Sequence, residues 1–200
     1  MGKRIKVALV GDGNVGKTSI CFRLVKDTFD TIYVPTVFET NPYSMSLHGT
    51  EYNLLIFDTA GQETYDSIRK TMVYTLDIDV FVACYSIDDE QSYKNVKDNW
   101  NEELKQNAAG KPVILVGTKR DLRKTGDTSK MMSQCDGMDL KHDINAKQFF
   151  ECSAKDPGEK TSVRLIFEEV INCYVEDCRK RSSPNNGGSG CCVVMQESDE

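Results

Sequence analysis

Two hundred residues, 39% hydrophobic and 28% charged, suffice for one soluble domain whose core needs no staple. The net charge of −6 speaks against a nucleic-acid partner, which calls for a basic surface, yet leaves room for a phosphate held locally by backbone N–H groups and one Lys. The eight cysteines include no Cys-x-x-Cys pair, a usage that reads as free thiols in a reducing compartment, and no apolar run approaches the roughly 20 residues that cross a bilayer. The Met1-Gly2 start fails the myristoylation pattern because position 6 is Lys. His48 and His142 stand apart in polar surroundings, so no metal or catalytic role is expected of either.

In chain order, residues 5–10 form a short apolar run, the mark of a strand buried on both faces, and a helix over about 17–26 follows. Residues 43–47 and 52–58, joined around His48-Gly49-Thr50, predict a hairpin and hence an antiparallel edge. Further strands are expected at 80–85 and 113–116, with a helix over about 92–107 between them. Residues 124–137 are polar and turn-rich and read as a dispensable surface loop, Met131 and Met132 being adjacent rather than at helical spacing. The last helix has the cleanest period: Val163, Ile166, Phe167, Val170, Ile171, Tyr174 and Val175 make one apolar stripe. The alternation predicts an α/β domain over 1–181, its mostly parallel sheet covered by helices on both faces. Residues 182–200 open on Ser, Pro, Asn and Gly and read as a flexible tail.

The motifs lie at strand ends, where α/β sheets bind ligands. Gly11-Asp12-Gly13-Asn14-Val15-Gly16-Lys17-Thr18 follows a strand and, with Ser19, opens a helix. This is a phosphate-binding loop: glycines let the backbone N–H groups turn inward, Lys17 reaches the outer phosphates, and Thr18 can ligate Mg²⁺. The loop alone leaves a kinase or an ATPase open. Asp58-Thr59-Ala60-Gly61-Gln62 supplies a carboxylate for Mg²⁺ through water, the Gly61 N–H for a γ-phosphate, and Gln62 to orient an attacking water as the catalytic residue. Thr36, in the loop at 34–39, offers a second hydroxyl for the metal. Thr118-Lys119-Arg120-Asp121 leaves the strand at 113–116, and a carboxylate at Asp121 can accept from N1–H and the 2-amino group of guanine together, a pair adenine lacks. Ser153-Ala154-Lys155 follows a short strand and places backbone N–H groups near the base carbonyl. Taken singly, Lys119 and Asp121 are a surface ion pair and Gln62 a surface amide; their joint order on strand ends selects the guanine-nucleotide reading. A scaffold that binds GTP without hydrolysing it is the other alternative, and Gly13 and Gln62 argue against it.

These five ordered motifs are similar to those of the small GTPases of the Ras superfamily. The strings Gly11-Asp12-Gly13, Val34-Pro35-Thr36-Val37-Phe38-Glu39, PVILVGTKRDLR from Pro112 and Glu151-Cys152-Ser153-Ala154 resemble the Rho/Rac branch. The resemblance covers roughly residues 3–180. It implies the P-loop GTPase fold, with a six-stranded sheet and five helices, switch segments at about 27–40 and 61–74, and a monomer that hydrolyses GTP slowly. It further implies that Phe29 stacks on guanine, that Tyr33 closes over the phosphates, and that Val37, Phe38 and Glu39 form an effector loop. The implied partners are Rho-type exchange factors, GTPase-activating proteins, a dissociation inhibitor and effectors of actin signalling. Three departures stand out: Asn41 where relatives place an aromatic, Phe57 where many carry Trp, and a segment from 121 to 137 too short for their insert helix. In the tail, Cys192-Val193-Val194-Met195 has the form of a prenylation box but is followed by Gln196-Glu197-Ser198-Asp199-Glu200. Lipidation is therefore expected, if at all, on the Cys191-Cys192 pair, giving a cytoplasmic protein with peripheral attachment to the inner face of membranes.

Overall fold

Successive side chains of the first strand, Lys3–Val10, enter two different cores: Ile5, Val7 and Leu9 join one cluster, Ala8 and Val10 the other. That is the two-residue period of a strand covered on both sides, and it places β1 at the centre of the molecule. A computed structural model describes residues 2–30, 36–61 and 66–182 of the chain. After β1 come α1 (Lys17–Val25), β2 (Phe38–Leu47), β3 (Thr50–Thr59), α2 (Asp66–Thr75) and β4 (Val80–Ser86). The helix α3 runs over 90–107, from Glu90–Asn95 through a π turn at Val96–Trp100 into Asn101–Asn107. Then follow β5 (Val113–Thr118), the single-turn α4 (Leu122–Thr125), α5 (Gln134–Asp143), β6 (Gln148–Glu151) and α6 (Lys160–Ser182).

The six strands lie in the order β2-β3-β1-β4-β5-β6, every pair parallel except β2 with β3. With 90–107 taken as one helix, five helices longer than a single turn flank the sheet among the described residues, as expected. The chain passes from β1 to its neighbour β3 on one side and to β4 on the other, so the carboxyl end of β1 is the switch point where such sheets bind ligands. The hairpin closes through a two-residue loop in which His48 and Gly49 have φ of 49° and 75°, as a type I′ turn requires. Along α6 the predicted stripe is in place: Val163, Ile166, Phe167, Val170 and Ile171 are buried, with Tyr174 and Val175 packed beside them. Each fully buried aliphatic side chain of this kind contributes roughly 1.5–3 kcal/mol.

Two expectations are corrected. The loop assigned to 34–39 ends earlier: Phe38 and Glu39 already belong to β2, paired with Thr59 and Asp58. Of the segment 124–137, residues 124–130 are exposed, as a surface loop should be, but from Met131 the chain is packed and then helical. Met131 and Met132 pack against the second core, the Met132 N–H donates to the Ile87 carbonyl at 2.8 Å, and Arg123 donates to the Met132 carbonyl at 2.6 Å. From Gln134 the chain is helix, started by a capping box between Ser133 and Asp136. Gly137 is buried so closely beneath Phe149 that a Cβ there would stand 2.1 Å from its ring. Gly137, Leu140 and Ile144 carry the buried face of α5, too sparse a stripe to register as helical periodicity.

Candidate guanine-nucleotide site

Between β1 and α1 the backbone bends as the glycines allow. Gly11 has φ of 135°, and a Cβ on it would stand 2.2 Å from the Cys84 carbonyl oxygen of the neighbouring strand. Asn14 and Gly16 are left-handed, at φ of 62° and 101°. Lys17, almost fully buried, donates from Nζ to the carbonyls of Gly11 (2.8 Å) and Asp12 (2.7 Å), so the loop holds its own cation over its centre.

Three oxygens converge beside it. The Thr18 hydroxyl donates to Asp58 Oδ2 at 2.6 Å and lies 2.9 Å from Thr36 Oγ1. Asp58 is fully buried, and its Oδ1 has no hydrogen-bond partner among the described residues. Burial raises its carboxyl above the usual carboxylate range, a shift that the Thr18 hydrogen bond and the Lys17 charge oppose. An orphaned carboxylate oxygen next to two hydroxyls suits a hard divalent cation, which takes oxygen ligands, so the residues present fit Mg²⁺. Gly61 rests directly on the loop: a Cβ there would lie 2.2 Å from the Asp12 carbonyl carbon and 2.3 Å from the Gly11 oxygen.

A cavity of about 430 Å³ opens from this floor across the sheet ends. Of the predicted residues, Asn14, Gly16, Thr18, Ser19, Phe29, Thr36, Thr118, Lys119, Asp121, Ala154 and Lys155 line it, and Glu39 reaches it from β2. Gly13, Lys17 and Gly61 line an adjoining space of about 60 Å³ with Thr18 and Thr36. Val15 and Ser153 serve from behind. The Val15 side chain is core, while its carbonyl accepts from the Thr118 hydroxyl, which also lies 3.1 Å from the Tyr85 carbonyl. Buried Ser153 donates to Asp121 Oδ1 at 2.6 Å and accepts from the Asp156 N–H at 3.1 Å, so it aims the carboxylate. Lys119 is left-handed, at φ of 60°, and lies 3.5 Å from Asp88.

Some residues that hold the site carry no motif. Arg23 on α1 is buried and donates from Nε to the Ala154 carbonyl at 2.7 Å and from Nη1 to the Asp27 carbonyl at 3.1 Å, tying the phosphate helix to the base loop. Its only signal is a charge three residues after Ile20, on the buried face of α1. Asp12 is bound by Asn95 and Trp100 of α3. Of the three residues expected to meet effectors, Val37 is exposed, Phe38 stacks on Phe57 with ring centroids 5.7 Å apart, and Glu39 is exposed. Gln62, Tyr33, Cys191 and Cys192 lie outside the described residues.

Comparison with known proteins meets this geometry. The Ras family model matches residues 6–176. The chain is 36% identical over 167 residues to the Ras-like GTP-binding protein RhoL of Drosophila melanogaster, covering 84% of this chain and 85% of that one. A glycine-bearing strand-to-helix loop, a threonine–aspartate oxygen cluster and the Asp121 carboxylate around one cavity at the strand ends of a six-stranded sheet agree with the match, and the chain belongs to the Ras family of small GTPases.

Proposed function

We propose that this small GTPase is a Rho-type molecular switch that hydrolyses GTP slowly and binds effectors in its GTP form. One observation carries the reading: Asp121, aimed by Ser153, lines the same cavity as Thr36 and as Thr18, whose hydroxyl meets both Asp58 and Thr36. Asp121 accepts from the two guanine donors, Phe29 covers the base, and Lys17 with the loop N–H groups holds the phosphates. Thr18, Thr36 and, through water, Asp58 would hold Mg²⁺, which neutralises phosphate charge when bound. The Gly61 N–H faces the γ-phosphate and Gln62 orients the attacking water, so the barrier falls by positioning and charge stabilisation. Loss of the γ-phosphate removes what Thr36 and Gly61 bind, and the segments carrying them relax.

The expected turnover is that of Ras-type switches, on the order of 10⁻⁴ s⁻¹ alone and about 10⁵-fold higher when a partner supplies an arginine. The Rho-like strings support Rho-type regulators and an output in actin signalling, both implied by the resemblance to that branch. Peripheral membrane attachment through Cys191 and Cys192 belongs to the same proposal. Phosphate release from preloaded GTP under single-turnover conditions tests the enzyme; bound GTP that stays intact would overturn it. Pull-downs with the GTP-analogue and GDP forms test the switch, which identical partner sets would overturn. Intact mass of protein from its own cells tests the anchor, and an unmodified chain ending at Glu200 would rule it out.

A further inference from the structure

The phosphate loop is gripped from a helix that no nucleotide-binding motif includes. Asp12 accepts at Oδ1 from Trp100 Nε1 (2.7 Å) and at Oδ2 from Asn95 Nδ2 (2.6 Å), so both its oxygens are committed to α3. Five residues apart on a regular α-helix, these two side chains would diverge by about 140°. The π turn Val96–Trp100, closed by the Asn101 N–H on the Val96 carbonyl, brings them to one face. The Asn95 amide is itself oriented: its oxygen accepts from Gln91 Nε2 and Asn99 Nδ2, which leaves the NH₂ end for Asp12. The backbone of Asp12 meets two groups of the phosphate site. Its carbonyl carries the Lys17 ammonium, and its carbonyl carbon and oxygen form the seat on which Gly61 rests.

We propose that Asn95 and Trp100 are positioning residues for GTP hydrolysis: by holding the Asp12 carboxylate they fix the carbonyl that carries Lys17 and the backbone surface that seats Gly61. The inference rests on the GTPase reading above. A small displacement of that floor moves the γ-phosphate end of the site, where alignment governs rate, and leaves the base end, held by Ser153 and Asp121, as it was.

Two variants of nearly unchanged shape test this. Trp100→Phe keeps an aromatic ring in the core and removes the N–H donor; Asn95→Asp keeps the outline and sets an acceptor against Asp12. Each should slow single-turnover GTP hydrolysis about 10-fold, with GDP affinity within about threefold of wild type. In an Asp12→Ala background, which is itself slow, adding Trp100→Phe should slow hydrolysis no further, because the group it acts through is gone. Wild-type hydrolysis in both single variants overturns the inference. So does a full additional loss from Trp100→Phe on top of Asp12→Ala, the mark of a general packing effect. A wild-type protein that binds GTP and releases no phosphate overturns the function and this inference together, whereas unchanged variants of an active wild type overturn the inference alone.

Discussion

The phosphate loop, residues 11–18, and the segment 124–137 are both polar and glycine-bearing, both meet the carboxyl edge of the sheet, and they are held in opposite ways. In the loop the groups converge: Gly11 and Asp12 turn their carbonyls onto Lys17, and Thr18 meets Asp58 and Thr36. In the other segment they reach outward to the fold: the Met132 N–H to the Ile87 carbonyl, Arg123 to the Met132 carbonyl, and Gly137 beneath Phe149. The first region turns its backbone onto its own cation, with α3 holding it through Asp12, and the second is held by its neighbours alone. Changes in the first should therefore alter chemistry at little cost to folding, and changes in the second the reverse.

The largest effect that would sharpen this contrast lies at the γ-phosphate end. Gly13→Val fills the space needed by the water, and Gln62→Leu removes the amide that orients it. Each should slow hydrolysis about 10²–10³-fold, equivalent to about 2.7–4 kcal/mol of barrier, while the protein keeps its nucleotide and its melting temperature. Phosphate release measured beside a thermal melt checks both halves; normal turnover in both variants would break the assignment. At the base end, Asp121→Asn should cost about 1–3 kcal/mol of GTP affinity and favour xanthosine triphosphate, because an acceptor becomes a donor at the 2-position. Competition between the two nucleotides decides it, and a retained preference for GTP would displace Asp121 from the base.

On the packed side, Gly137→Ala drives a methyl group into the Phe149 ring and should cost about 1–3 kcal/mol of stability, with nucleotide affinity unchanged in the folded protein. A melting temperature equal to wild type would return this segment to the surface. The smallest effect belongs to Asp58, where ligand site and fold conflict. Its folded carboxyl is raised by burial, so in the absence of metal and nucleotide its contribution to stability is full below the unfolded carboxylate value. That contribution is lost as pH rises through the raised folded value. Asp58→Asn should therefore raise the ligand-free melting temperature at neutral pH and flatten its acid-side slope, while weakening Mg²⁺-GTP. A parallel pH profile in wild type and variant would contradict this account.

The contrast also explains what could be read from residue types alone. The phosphate loop, the strand ends and the carboxylate at Asp121 were legible because ligand geometry demands those residues at those spacings. The long stripe of α6 was legible because seven apolar positions repeat without a break. Residues 131–137 were not, since what orders them is a backbone bond to Ile87 and the absence of a side chain at Gly137, and neither leaves a period. Phe38 and Glu39 read as loop because strand pairing with Thr59 and Asp58, not local pattern, extends β2 to them. Ser153 was placed at the base by its backbone and acts through its hydroxyl on Asp121. The grip of Asn95 and Trp100 on Asp12 was hidden because a π turn shifts the helical repeat.

The bond from Arg23 to the Ala154 carbonyl spans 131 residues of chain, and it sets an order of events during synthesis. At about 5–20 residues per second, the ribosome delivers that carbonyl roughly 7–26 s after the guanidinium that needs it. Through that interval the phosphate loop and α1 exist without the partner that ties them to the base loop, and β6 is missing from the sheet edge. The Asp121 carboxylate is likewise made before the Ser153 hydroxyl that aims it, so this end of the cavity takes its shape only after Ser153 has been added.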